Sequence, residues 1–161
     1  MAVGILYEGI ARWLGHATSV QARTELYVDA ERAATGTTLY DVPDYVAIQA
    51  EFPNRVHASI EISAHASFAG ANGAHLFGTE GTLFIDFDAH ALRLSTANAP
   101  EGRPVKIPKD ELADWRVEAE FIGAIRREEE VRLTDFATGL RYMAFTDAVN
   151  EAAKNGVRVA L

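Results

Sequence analysis

The chain has no cysteine, which excludes disulfides and thiolate-held metals and leaves the redox compartment open. Positive charge is also short. Fifteen Lys and Arg stand against 23 Asp and Glu, a formal net charge of −8. A nucleic-acid surface needs clustered Lys and Arg, so that balance argues against one. No apolar run approaches the ~18–20 residues that cross a bilayer. The N-terminus has no basic segment followed by a long apolar run, because Glu8 interrupts it early, which argues against a signal peptide. The expectation is a cytoplasmic protein that binds neither nucleic acid nor membrane. With 161 residues, 48% apolar and 24% charged, the chain suits one globular domain, residues 1–161, with a real core.

What is present is strand periodicity followed by helix periodicity. Val56, Ala58, Ile60, Ile62 and Ala64 alternate with His57, Ser59, Glu61, Ser63 and His65, the period of a strand with one buried face. Gly78-Thr79-Glu80-Gly81-Thr82 reads as a tight hairpin, a type I turn closing on a left-handed Gly81. Before these lie a short helix, Gly4 to Leu14, with Leu6, Ile10, Trp13 and Leu14 on one face, and a strand from Ser19 to Val28. Residues 29–43 lack a period and read as a loop that could cover a substrate. Asp44 to Phe52 reads as a strand turning at Pro53-Asn54 into the alternating one.

Beyond the break at 70–73, the segments 75–78, 82–87 and 91–95 read as a meander. Residues 98–108 hold three prolines and read as loop with at most a short edge strand at 105–107. From Asp110 the period becomes helical. Trp115, Phe121, Ile122 and Ile125 suggest a helix of about four turns, with Trp115 and Phe121 filling core. Thr134 is a suitable N-cap for a second long helix, whose apolar stripe would be Phe136, Leu140, Met143, Val149 and Ala152, ending at Asn155-Gly156. Residues 157–161 read as a last strand. The fold class is α+β, an open, mainly antiparallel sheet of six to eight strands with helices on one face. The other sheet face, with Gln21, Arg23, Gln49, Glu51, His57 and Glu61 among small residues, suits either water or a second copy, and the copy is favoured.

These motifs, in order, resemble the C-terminal domain of the Gfo/Idh/MocA oxidoreductases. The match runs through Ala-Arg-Trp-Leu-Gly at 11–15, Asp44-Tyr45, Phe52-Pro53-Asn54 and Gly78-Thr79-Glu80-Gly81. It continues through Glu120-Phe121-Ile122, Gly139-Leu140-Arg141-Tyr142-Met143 and Gly156-Val157-Arg158-Val159. The resemblance implies a substrate-binding and oligomerisation domain of an NAD(P)-dependent enzyme acting on a sugar, cyclitol or related polyol. The cofactor, NAD or NADP, would be held by a Rossmann domain that this chain does not match. No GxGxxG is present, since the pairs Gly70/Gly73 and Gly78/Gly81 lack a strand-to-helix context, and the family's Glu-Lys-Pro is absent too. The expectation is therefore half of an oxidoreductase, binding no cofactor and inactive by itself.

The family's Gly-Ile-His-Tyr-x-Asp aligns on Gly4, Ile5 and Tyr7, which puts Leu6 at the catalytic His position and Gly9 at the Asp position. Neither can move a proton. Tyr7, Glu8 and Arg12 surround the vacated position and are the candidate substrate-binding residues, although Glu8 and Arg12, four apart on a helix, also form an ordinary ion pair. The catalytic residues stay unassigned. His57, Glu61 and His65 share a strand face, but residues four apart on a strand are ~13 Å apart, too far to share one metal ion. His16, His75 and His90 have no partner spacing, and Arg141 could reach an acidic substrate or an ordinary carboxylate partner. The rival function is a stand-alone binding or scaffold module derived from such an enzyme, and a third is a hydrolase using a transient NAD redox step.

Overall fold

The structure, a computed structural model, describes residues 3–27, 42–70, 72–111, 116–133 and 135–161. It is α+β and antiparallel, with eight strands and three α-helices among those residues. The ladder joins the strands as two four-stranded sheets rather than one continuous sheet. The chain divides into two compact units, residues 1–67 with 120–161, and residues 68–119.

The first unit is built on β1 (Ser19–Glu25), β2 (Tyr45–Phe52), β3 (Val56–Ser63) and β8 (Val159–Ala160), in the order β3-β2-β1-β8. Alternation sends Val20, Val46, Ile48, Ala50 and Phe52 to one face, where they are buried. The opposite face carries the polar Gln21, Arg23, Gln49, His57, Ser59 and Glu61. Helices α1 (Val3–Leu14) and α3 (Phe136–Asn155) contribute Val3, Tyr7, Tyr142, Phe145, Val149 and Ala152 to the same core as the apolar strand face. Pro53–Arg55 makes the β2–β3 turn as one turn of 3-10 helix, with Asn54 and Arg55 both at positive φ.

Helix termini follow local chemistry. Gly15, at φ 80°, ends α1 with its N–H on Ala11 O at 3.0 Å. Asp135 caps α3 by accepting the Thr138 N–H at 2.7 Å, which holds its carboxyl below the usual range. The sequence favours Thr134 for that role, but Thr134 is outside the described residues, as are Trp115 and most of the 29–43 loop.

The second unit is the meander β4 (Gly73–Phe77), β5 (Gly81–Asp86), β6 (Ala91–Thr96) and β7 (Ala99–Val105), in that order. Two expectations change here. Residues 99–105 form a full edge strand despite Pro100 and Pro104, because an edge strand can leave one side of its backbone unpaired. Gly81 is not left-handed. It is small because a Cβ there would sit 2.4 Å from Ser95 O on β6.

Helical spacing also misassigns residues on all three helices. At about 100° per residue, Phe136, Leu140 and Met143 lie on the side of α3 opposite Val149 and Ala152. The first three are exposed, Phe136 at 96% and Leu140 at 71%, while Val149 and Ala152 are buried. Helix α2 (Val117–Arg126) likewise exposes Phe121, expected in the core, and Ile122 and Ile125 are exposed with it. On α1 the core side is Val3, Tyr7, Ile10 and Leu14, while Leu6 and Trp13 turn outward.

Candidate functional site

The three residues proposed for substrate are brought together on α1 but play different parts. Tyr7 is 2% exposed, its ring stacked on Phe145 with centroids 3.6 Å apart. Its hydroxyl accepts the Ala17 N–H at 2.9 Å, and burial pushes the phenol pKa up. On the helix surface beside it, Glu8 and Arg12 form a close ion pair one turn apart. That pair offers a carboxylate that accepts and a guanidinium that donates, a set that fits the hydroxyls of a polyol. Leu6 and Gly9 lie on the outward side of the same helix, next to that pair in sequence, and neither can exchange a proton.

His16 is the residue that spacing alone does not find. It follows Gly15, and its Nδ1 lies 3.5 Å from the Tyr7 hydroxyl, with the Tyr142 ring 6.3 Å away. Burial, and then the positive charge of Arg141, hold its pKa below the ordinary value of 6.5. A neutral imidazole can accept the Tyr7 proton at Nδ1, so the Ala17 N–H, the Tyr7 hydroxyl and His16 run as a short relay closing the end of α1. Only contacts across ten residues reveal it. Arg141, on α3, acts on this cluster through its charge.

On the open sheet face the polar residues are organised. Ser19, 3% exposed, donates its hydroxyl to Glu51 Oε2 at 3.0 Å and accepts from Arg158 Nε at 2.9 Å. Arg158 closes the triangle with a direct ion pair to Glu51. His57 stands opposite Glu51 in the ladder, and together with Gln21 and Gln49 these groups line a cavity of about 230 Å³. At the other end of the face Arg23 pairs with Glu25 at 2.7 Å, and the Tyr45 hydroxyl bonds Glu61. His57 on β3 and His65 beyond its end do not meet, since His65 Nε2 binds Asp44 at 2.8 Å, away from His57. Among the described residues, no helix is long and apolar enough to cross a membrane.

Solved oxidoreductases share this fold, and the chain spans about half the length of each. Levoglucosan dehydrogenase in complex with NADH superposes with a TM-score of 0.77 at 21% identity, over 98% of this chain and 48% of that one. Aldose-aldose oxidoreductase from Caulobacter crescentus, complexed with glycerol, gives 0.69 at 22% identity over 98% and 46%. An oxidoreductase from Agrobacterium radiobacter, in complex with NAD+, L-tartaric acid and magnesium, gives 0.68 at 18% over 98% and 47%. No family model and no curated protein matches the sequence. At these identities the likeness is one of fold.

Proposed function

We propose that residues 1–161 form, as one domain, the substrate-binding and oligomerising half of an NAD(P)-dependent oxidoreductase of the Gfo/Idh/MocA family acting on a sugar, cyclitol or related polyol. The observation that carries this reading is the fold shared over 98% of the chain with half of levoglucosan dehydrogenase in its NADH complex, another solved complex of which holds NADH and levoglucosan. In that reading NAD or NADP sits on the other half and supplies the hydride chemistry, and this half positions the substrate. Tyr7 fixes α1 on α3, and Glu8 and Arg12 present carboxylate and guanidinium to the substrate hydroxyls. The open face of β1–β3 meets a second copy.

The scaffold reading has one observation in its favour: Leu6 and Gly9 replace both proton-transferring groups at the start of α1. Calorimetry separates the possibilities. Titration of the purified chain with NADH and then NADPH is expected to give no saturable heat, and a panel of polyols is expected to give weak saturable binding. Tight cofactor binding overturns the assignment to the substrate half. Silence toward every polyol favours the scaffold.

A further inference from the structure

We infer that His16 and Arg141 form a site for the carboxylate of an acidic polyol, a sugar acid rather than a neutral sugar. The inference rests on the polyol reading of α1 and narrows its substrate class. Two contacts fix what His16 can offer. The Tyr7 hydroxyl is buried and accepts the Ala17 N–H at 2.9 Å, so its own proton needs an acceptor. His16 Nδ1, 3.5 Å away, is the acceptor that faces it. That contact leaves the neutral imidazole with its proton on Nε2, and the charged imidazole carries one there as well. Nε2 is therefore a donor at every pH, and it has no hydrogen-bond partner among the described residues.

Arg141 supplies the second donor. It precedes Tyr142 on α3, whose ring lies 6.3 Å from the His16 ring, and its charge reaches His16. Arg12, Arg23, Arg132 and Arg158 each pair with a carboxylate. Arg141 is exposed and has no hydrogen bond or ion pair among the described residues. Asp135 feels its charge, but that carboxylate is held by the Thr138 N–H. A guanidinium and an imidazole N–H, both without acceptors, complement a carboxylate. A hydroxyl can accept from the same donors but brings no charge to Arg141. The Glu8–Arg12 pair, which follows Tyr7 on α1, is left for hydroxyls. One ligand that meets both sets carries a carboxylate and several hydroxyls. The net charge of −8 opposes anions at long range, but physiological salt screens beyond ~8 Å, so the local pair decides.

D-gluconate and D-glucitol make the test, since they differ only in the carboxylate at one end. Calorimetry of the purified chain at about pH 6 is expected to show gluconate binding about tenfold tighter than glucitol, the effect of one charge-assisted contact. Arg141→Gln, at an exposed position, is expected to remove that preference. The groups facing His16 are Tyr7 on α1 and Tyr142 and Arg141 on α3. A bound carboxylate offsets the Arg141 charge, so NMR is expected to show the His16 pKa rising with gluconate and not with glucitol. By linkage, gluconate affinity rises as pH falls from about 8 to about 5.5, a range in which a carboxylate of ordinary pKa stays ionised. His16→Gln is expected to flatten that dependence.

Equal affinity for the two ligands overturns the carboxylate site while the polyol reading stands. A preference for gluconate that survives Arg141→Gln, with the His16 pKa unmoved, overturns its placement. Silence toward gluconate and glucitol alike removes both.

Discussion

His16 and Tyr7 show how a single residue couples the fold to pH. The imidazole packs against two tyrosines and lies in the field of Arg141, so its charged form is disfavoured in the folded chain. A folded pKa below the ordinary 6.5 means that, as pH falls, the unfolded chain takes up the proton first. The contribution of His16 is therefore complete above about pH 6.5 and is lost as pH falls from there toward the folded value. Urea unfolding between pH 8 and pH 5 is expected to show stability falling on the acid side, with a shallower fall in His16→Gln. An identical slope in the variant would mean that other groups carry the acid sensitivity. Tyr7 works in the opposite direction: its raised pKa keeps the phenol protonated in the core, a contribution lost only as pH rises above 10. Neither effect can be read from the sequence, where His16 has no partner within helical or strand spacing and Tyr7 looks like a surface neighbour of Glu8.

At the scale of elements, period two was decisive and period 3.6 was not. Along β2 and β3 each apolar residue can only point to one face, so Val46, Ile48, Ala50 and Phe52 were legible as core directly from alternation. On α3 the sequence offers two apolar arcs, Phe136-Leu140-Met143 and Tyr142-Phe145-Val149-Ala152, and only tertiary contact selects between them. The same holds for α2, whose apolar residues satisfy helical spacing and yet face outward. Prolines misled in β7 because their cost depends on whether a strand is central or at an edge, which order in the sheet decides. The two arcs of α3 give a direct check by thermal melting. Leu140→Lys is expected to leave stability within about 0.5 kcal/mol, as an exposed substitution does. Val149→Ala, which empties part of a closed core, is expected to cost about 2 kcal/mol. Equal costs would mean that the outer arc is covered in solution.

At the scale of the whole molecule, order of motifs carried more information than any one of them. The strand–hairpin–meander–helix–helix succession was enough to indicate the fold, while its division into two hydrogen-bonded sheets depends on pairings far apart in sequence. The candidate site was legible only in part. Glu8 and Arg12 pair on α1 as their spacing suggests, whereas the triangle of Ser19, Glu51 and Arg158 joins residues up to 139 positions apart. Burial is distributed very unevenly over these units. Every fully buried apolar side chain among the described residues, from Val3 to Ala152, belongs to the first unit, and among the described residues 68–111 none is buried. Local opening free energy follows buried apolar contact. Hydrogen exchange is therefore expected to be slowest at β1, β2 and the Tyr142–Ala152 stretch of α3, and faster throughout β4–β7 even though each of these strands is paired with a neighbour. If β4–β7 instead exchange as slowly as β2, the two units open together, and the division of the chain into a stable core and a weaker meander is wrong. If they exchange early, the meander is the less stable of the two units, as its lack of buried apolar side chains implies.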